Sequence, residues 1–113
     1  MCSKAQAEKI VRELKRSVAP LFPDDRIEAI LFGSYARGDM DAGSDIDVML
    51  LVDSPRRIIS ERNWEVGNLA AELLLDYGIV VSPIVENRDY YHSNTDTFPF
   101  YSNIRREGVY INA

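Results

Sequence analysis

The stretch Gly33-Ser34-Tyr35-Ala36-Arg37-Gly38, followed by Ser44-Asp45-Ile46-Asp47, decides the fold of this chain. An apolar run at 27–32 leads into the first stretch, which predicts a strand that is ended by a glycine turn. The second stretch opens another apolar run, so residues 45–52 are predicted as a second strand. A glycine turn close to two aspartates is also the combination that a protein needs to hold a nucleoside triphosphate together with Mg²⁺.

The glycine turn has the chemistry of a phosphate loop. A triphosphate needs backbone N–H donors that can be approached closely, and glycine permits that approach. Gly33 and Ser34 lie where a strand changes into a helical turn, and the start of a helical turn presents unpaired N–H groups. Arg37 follows about one turn later and brings a guanidinium group within reach of a phosphate. A strand that ends in Gly-Ser beside a solvated arginine is the alternative for this loop alone.

The two aspartates strengthen the case for a metal-bound phosphate. Asp45 and Asp47 lie on one face of the predicted strand, about 6.5–7 Å apart along it. Aspartate is a poor strand former, and two such charges repel each other unless they share a cation. Mg²⁺ takes oxygen ligands and often uses one or two carboxylates together with substrate phosphates. The alternative is that both are solvated residues at the start of a strand.

Helical periodicity predicts one helix before these strands and one after them. Ser3 can cap a helix that runs to about Val18. A longer helix begins at Ser54-Pro55, with Ser54 as its cap and Pro55 in its first position, and Gly78 ends it. The apolar residues of the first helix share one face and are Ala7, Ile10, Val11, Leu14 and Val18.

The remaining part of the chain predicts one more strand and one more helix. Residues 79–85 have the composition of a strand, but Pro83 cannot donate a hydrogen bond to a neighbour and therefore favours a place at the edge of the sheet. Residues 87–97 are polar and aromatic. A last helix is predicted over 99–107, and Gly108 stops it.

These elements follow the order helix, strand, turn, strand, helix, strand, helix. A chain of 113 residues is long enough for one domain with a modest core, and residues 1–113 are predicted to be that domain. The predicted fold class is α/β of the α+β type: a short mixed β-sheet with helices packed mainly on one face.

Charge and cysteine content limit the cellular location and the partners that the sequence suggests. The formal net charge is −5, whereas an extensive nucleic-acid surface would need a basic stripe. Cys2 is the one cysteine and cannot form an internal disulfide, which fits a reducing, cytoplasmic location. Residues 1–16 are charged throughout, so no signal peptide is expected there. No apolar run is long enough to span a membrane.

The spacing of the loop and the carboxylates resembles the nucleotidyltransferase signature of the DNA polymerase β superfamily. In this chain the matching residues are Gly33, Ser34, Arg37, Gly38, Ser44, Asp45 and Asp47. The resemblance extends over residues 26–85 and looks most like the minimal nucleotidyltransferase (MNT) group, whose members are single small domains. The stretch 99–108 is also similar to the ending of many bacterial members.

The resemblance implies a nucleotidyltransferase-like fold and a role for each matching residue. Gly33 and Ser34 would bind the triphosphate, and Arg37 would stabilise phosphate charge. Asp45 and Asp47 would be the catalytic carboxylates that ligate Mg²⁺. The implied reaction transfers a nucleotidyl group, usually AMP from ATP, to an acceptor hydroxyl and releases pyrophosphate.

This chain departs from the family pattern at one position of the third strand. Family sites carry a third carboxylate there, and the aligned residue is Ser82. Glu86 shares a strand face with Ser82 but lies about 13 Å further along, so it is interpreted as a solvated strand end. Asp89 and Asp96 are weaker candidates on the polar segment that follows. Nucleotide and metal binding are therefore better supported than fast catalysis.

Other residues that could carry chemistry are interpreted as structural or solvated. His92, the one histidine, is expected to be exposed in a loop. Trp64 is expected to cover the edge of the core, and contact with a partner protein is the alternative. Asp39 and Asp41, in the loop beside the aspartate pair, are expected to be solvated. The aromatic residues of the C-terminal part are expected to form a lid over the core: Tyr90, Tyr91, Phe98, Phe100, Tyr101 and Tyr110. A surface for a partner protein is the alternative, since aromatic residues are enriched at interfaces.

The leading functional hypothesis is a Mg²⁺-dependent nucleotidyltransferase that modifies a hydroxyl on a partner protein, since little of the chain is left over for an acceptor site. The resemblance adds that MNT proteins are often paired with helical HEPN ribonuclease proteins, as antitoxin to toxin. One alternative is an ATP-binding partner that neutralises such a toxin by contact. A weaker one is a small-molecule adenylyltransferase of the aminoglycoside type. A homo-oligomer is compatible with the sequence.

Overall fold

The computed structural model of the protein describes residues 3–111, so the prediction about Cys2 lies outside the described residues. Within that range the chain forms five α-helices, a short 3-10 turn at Ala19–Leu21 and four strands. The helices are α1 (Lys4–Val18), α2 (Ser34–Arg37), α3 (Arg56–Tyr77), α4 (Arg88–Ser93) and α5 (Pro99–Glu107). The strands are β1 (Glu28–Phe32), β2 (Ile46–Val52), β3 (Val81–Asn87) and β4 (Val109–Ile111).

The strands form one mixed sheet in the order β3-β2-β1-β4. The central strand β1 is antiparallel to both β2 and β4, whereas β2 and β3 are parallel. The mixed sheet predicted from the sequence is thus confirmed. Pro83 lies on β3 at the edge of the sheet, as predicted, where its missing N–H costs no hydrogen bond to a second neighbouring strand.

Side chains of β2 alternate between two cores. On one side of the sheet they pack with the buried faces of α1 and α3, and the residues concerned are Ile46, Val48, Leu50 and Val52. On the other side Met49 and Leu51 pack with Tyr91 of α4 and Ile104 of α5. The two long helices therefore cover one face of the sheet, and the two short ones cover part of the other.

The ends of the long helices are set by local hydrogen bonds. The Ser3 hydroxyl accepts the Gln6 N–H at 3.1 Å and caps α1, as predicted. Gly78, at φ 69°, ends α3, also as predicted. The prediction that Ser54 caps α3 is wrong, because the capping residue is Pro55. The helix starts at Arg56, one residue later than expected, and the Ser54 N–H donates to the Asp25 carboxylate at 2.7 Å.

Besides the 3-10 turn at Ala19–Leu21, two short elements are absent from the sequence prediction. The first is α4, which begins where the Asn87 side chain accepts the Tyr90 N–H at 2.9 Å, inside the segment described above as polar and aromatic. The second is β4, whose residues 109–111 pair with Ala29–Leu31 of β1. Three residues are too few to show the alternation of apolar and polar side chains that marks a strand. Their partner β1 is also distant in sequence.

Arg88 fastens one end of the sheet. Its guanidinium group bonds the carboxylates of Glu28, at 2.5 Å, and Asp53, and it also donates to the carbonyl oxygens of Arg26 and Leu51. These groups lie at the start of β1 and the end of β2, which leaves the opposite end of both strands for the glycine turn and the aspartates. No helix within residues 3–111 combines the length and the apolar character that crossing a membrane requires.

Candidate functional site

Gly33 ends β1 in a backbone conformation that other residues avoid. Its φ of 77° and ψ of −156° lie in a region that is essentially restricted to glycine. The Gly33 carbonyl oxygen accepts the N–H groups of Ala36 and Arg37 at 3.1 and 3.0 Å, which closes the single turn of α2. Gly38, at φ 86°, ends that turn, so both glycines of the loop act as predicted from the sequence.

The side chain of Asp47 lies directly against Gly33. A Cβ atom added at Gly33 would collide with the Asp47 carboxylate and would lie 3.3 Å from the Asp47 Cβ. The register explains the approach, since Asp47 pairs with Phe32, the residue before the glycine. The structure therefore brings the predicted loop and the predicted carboxylate into contact, and it does so through the missing side chain of Gly33.

The two aspartates make a site of concentrated negative charge. Asp47 is half-buried, and Asp45, just before β2, is exposed. Burial raises the pKa of Asp47, and the nearby charges of Asp45 and Glu107 raise it further, while Arg37 acts in the opposite direction. The ionised form of Asp47 is thus disfavoured without a cation, and carboxylate oxygens are ligands suited to Mg²⁺.

Ser82 lies beside Asp47, at the place predicted for it. The parallel pairing of β2 and β3 sets Asp47 opposite Ser82, and paired residues of neighbouring strands are about 5 Å apart with their side chains on the same face. The residue that the resemblance aligns with the third carboxylate of family sites is thus a half-buried hydroxyl opposite Asp47.

Glu86 is not the solvated strand end that the sequence suggested. It is 5% exposed and pairs in register with Leu51, four residues along β3 from Ser82. The Tyr101 hydroxyl donates to its carboxylate at 2.5 Å, and Arg56 forms an ion pair with it at 3.3 Å. Glu86 thus joins α3 and α5 to the sheet and does not replace the carboxylate that is missing at Ser82.

The weaker acidic candidates also lie elsewhere. Asp89 is exposed in the first turn of α4, and Asp96 forms an ion pair with Arg105 at 2.8 Å. Within residues 3–111, no three His, Cys, Asp or Glu side chains are grouped closely enough to hold a metal ion by themselves. A metal at Asp45 and Asp47 would need further oxygen ligands from water or phosphate.

Glu107, which sequence reasoning missed as a site residue, contacts the loop directly. Its carboxylate accepts the Gly33 N–H at 3.2 Å and the Arg37 Nη1 at 3.3 Å. Arg37 also bonds Asp39 at 3.2 Å, so Asp39 is paired as well as exposed. These two carboxylates raise the pKa of Arg37. The signal that could have found Glu107 was its place in the stretch 99–108 that resembles the family ending.

The other interpretations have mixed outcomes. His92 is exposed, as expected, but it lies in the last turn of α4 and not in a loop. Trp64 is 76% exposed on α3, so the prediction that it covers the core is wrong. Exposed Asp41 accepts the Gly43 N–H at 2.9 Å and shapes the loop before β2.

The aromatic lid is present over the second core. Tyr91 is buried there, and Tyr101 packs against it with ring centroids 5.2 Å apart. Phe100, which is 46% exposed, meets Phe32 edge to face at 5.7 Å and so continues the lid toward the candidate site. Tyr110 is half-exposed on β4 and pairs with Ile30, a residue of the second core, so its side chain lies on the same face of the sheet as the lid.

Comparison with known proteins assigns the chain to a family. A family model described as a nucleotidyltransferase domain matches residues 11–104, which include the loop, both aspartates and Ser82. The chain belongs to this nucleotidyltransferase family. The resemblance to the MNT group that the loop and the carboxylates indicated is thereby confirmed.

Three curated relatives from Methanocaldococcus jannaschii bear the name "putative protein adenylyltransferase". One is 36% identical over 77 residues, which cover 68% of this chain and 76% of the relative. Another is 32% identical over 101 residues, or 89% of this chain and 93% of the relative. The third is 40% identical over 82 residues, or 71% of this chain and 55% of the relative.

Replacing Gly33 by alanine tests the contact with Asp47. The Gly33→Ala variant should lose about 1–3 kcal/mol of unfolding free energy, because alanine is strained at this φ and ψ and its Cβ displaces the carboxylate. Gly67→Ala is the matched control: it adds the same atom to an exposed position of α3 with open space around it, and should gain about 0.5–1 kcal/mol. Urea unfolding measures both, and equal stability of Gly33→Ala and the parent chain would contradict the account.

The raised pKa of Asp47 gives a pH dependence. Its ionised form opposes folding at neutral pH, and this opposition fades as the pH falls through the raised pKa toward the ordinary aspartate pKa of 3.8. Asp47→Asn should therefore be more stable than the parent chain at pH 7, and the difference should shrink as the pH is lowered. Urea unfolding at several pH values measures it, with exposed Asp24→Asn as the control that should show a smaller gain. A less stable Asp47→Asn variant at pH 7 would be inconsistent with this electrostatic account.

Proposed function

We propose that this chain transfers AMP from ATP to a hydroxyl group on a partner protein in a Mg²⁺-dependent reaction. The observation that carries the proposal is the contact between Gly33 and Asp47, because it joins an anion-binding loop to a carboxylate in one place. The family supports nucleotidyl transfer. The names of the three relatives support AMP as the transferred group and a protein as the acceptor.

Mg²⁺ fits the donor set at this site. Asp45 and Asp47 offer hard oxygen ligands, and the raised pKa of Asp47 reflects a charge that a bound cation would stabilise. When bound, Mg²⁺ supplies charge neutralisation for the triphosphate. The two aspartates are the residues that would hold it.

The chain itself would contribute positioning and charge. Gly33 and Ser34 bind and orient the phosphates, and Arg37 stabilises their negative charge. The acceptor hydroxyl oxygen forms a bond to the α-phosphorus while the bond from that phosphorus to the oxygen of the β-phosphate breaks. Pyrophosphate leaves and the hydroxyl proton passes to water, because Ser82 carries no charge with which to accept it.

The antitoxin role is the finer form of the proposal. MNT-type chains that modify a HEPN-like helical toxin need an exposed surface on which to receive it, and Trp64 and Phe100 expose large aromatic surfaces on α3 and α5. Aromatic residues are enriched in protein interfaces. The acceptor would then be a hydroxyl side chain of that helical partner.

Mass spectrometry of the partner tests the transfer. The protein is incubated with the protein that the neighbouring gene encodes, together with ATP and Mg²⁺, and the mass of that partner is then measured. We expect a gain of one or more AMP units, and its loss in the Asp45→Asn/Asp47→Asn double variant. A tight complex in which the partner gains no mass would contradict transfer.

Ser82 favours one second candidate function. A chain without the third carboxylate could bind ATP and neutralise a HEPN-like toxin by contact alone. In that case the complex would form with the double variant as well as with the parent chain, and the partner's mass would stay unchanged.

Restoring a carboxylate at Ser82 separates slow transfer from contact alone. Ser82→Asp places a third carboxylate beside Asp47 and should raise the rate of AMP transfer by about tenfold or more, since a positioned acid or base typically contributes 10²–10⁴-fold. Ser82→Asn adds similar bulk without the charge and should give no increase. The rate is followed as mass gain of the partner with time, and equal rates for both variants would show that the missing carboxylate does not limit turnover.

A further inference from the structure

The donors of the glycine loop already hold an anion from the same chain. The Gly33 N–H donates to Glu107 Oε1 at 3.2 Å, and Arg37 Nη1 lies 3.3 and 3.4 Å from the two carboxylate oxygens. A backbone N–H and a guanidinium group that converge on one carboxylate make the same kind of contacts that they make to a phosphate. Glu107 is thus bound as a phosphate group would be.

We infer that Glu107 occupies the phosphate position of the loop when no nucleotide is bound, and that the triphosphate must displace it. Glu107 then competes with polyphosphates for these donors and lowers the affinity of the site for them. This inference rests on the proposed function, because it takes Gly33 and Arg37 as donors to the triphosphate. The Gly33 N–H points one hydrogen at one acceptor, so the carboxylate and a phosphate oxygen exclude each other there.

The chain around Glu107 allows the side chain to leave without moving the backbone. Glu107 is the last residue of α5, and the Gly108 N–H donates to the Ile104 carbonyl oxygen at 2.7 Å. A Cβ atom at Gly108 would lie 2.6 Å from the side chain of Ile30, so the backbone at this point is packed tightly on β1. The Glu107 side chain is 23% exposed, so we expect rotation about its own torsions to carry the carboxylate into solvent.

Two roles for the Glu107 carboxylate, competition with phosphate and ligation of the metal, predict opposite effects of its removal on nucleotide affinity. If Glu107 were a further metal ligand, its loss would weaken binding of a magnesium-bound nucleotide. The acidic residues described within 3–111 do not form a group of three that could hold a metal, which argues against that role. If Glu107 competes with phosphate, its loss strengthens binding of any polyphosphate, whether or not a nucleoside is attached.

Isothermal titration of the Glu107→Gln variant decides between these roles. Glutamine keeps the size of the side chain and removes its charge. We expect Glu107→Gln to bind inorganic tripolyphosphate and Mg·ATP about tenfold more tightly than the parent chain, which corresponds to about 1.4 kcal/mol. Glu61→Gln is the matched control, since it removes a carboxylate that pairs with Arg57 on the exposed surface of α3, and its affinities should equal those of the parent chain.

Each outcome bears on the inference. Unchanged or weaker binding by Glu107→Gln, with the parent chain binding both ligands, would overturn the inference and leave the proposed function standing. No binding by either protein would contradict the proposed function and the inference together. Urea unfolding of the same samples shows that the variant is folded. If the variant is not folded, the parent chain is titrated with tripolyphosphate and followed by NMR. The signal of the Glu107 carboxyl carbon should shift as the ligand binds, and an unchanged signal at saturation would contradict displacement.

Discussion

The candidate site depends on the absence of a side chain at Gly33. Because β1 and β2 pair with Phe32 opposite Asp47, the residue after Phe32 must pass over the Asp47 carboxylate. Only glycine can do so, since a Cβ atom there would collide with the carboxylate and the backbone angles are unfavourable for other residues. The missing side chain of Gly33 is therefore what lets the loop contact the Asp47 carboxylate. The hydrogen bonds of Arg88, at the opposite end of the two strands, help to hold the register of β1 and β2.

The charges at this end of the sheet are poorly balanced by the chain alone. The guanidinium group of Arg37 is shared between Asp39 and Glu107. The raised pKa of Asp47 follows from burial first and then from the charges of Asp45 and Glu107, which Arg37 offsets only in part. A magnesium-bound triphosphate would improve this balance. The metal ion would neutralise the charge of the aspartates, and the phosphates would accept the hydrogen bonds of the loop donors. We interpret Glu107 as the group that satisfies those donors in the meantime.

The parts of the fold that local sequence determines were predictable. Apolar runs gave the first two strands, Ser3 and Gly78 marked helix ends, and the alternation along β2 sorted its side chains onto two faces. Ser82 was singled out by the family resemblance, and the parallel pairing of β2 and β3 places it opposite Asp47.

The roles of Glu86 and Glu107 could not be predicted, because they depend on contacts with residues that are distant in sequence. Glu86 looked solvated because Arg56 and Tyr101, which contact it, come from two different helices. Glu107 looked like an ordinary last residue of a helix because its partners in the loop lie about seventy residues earlier. Such contacts between distant segments leave no periodic signal, and charged residues that make them resemble solvated ones.

Calorimetric titration of the protein with ATP, in the presence of Mg²⁺ and again with the metal chelated, tests the central claim most directly. The account predicts a binding heat that requires Mg²⁺ and that disappears in the Asp45→Asn/Asp47→Asn double variant. A protein that shows no Mg²⁺-dependent heat, or a double variant that binds as the parent chain does, would contradict it.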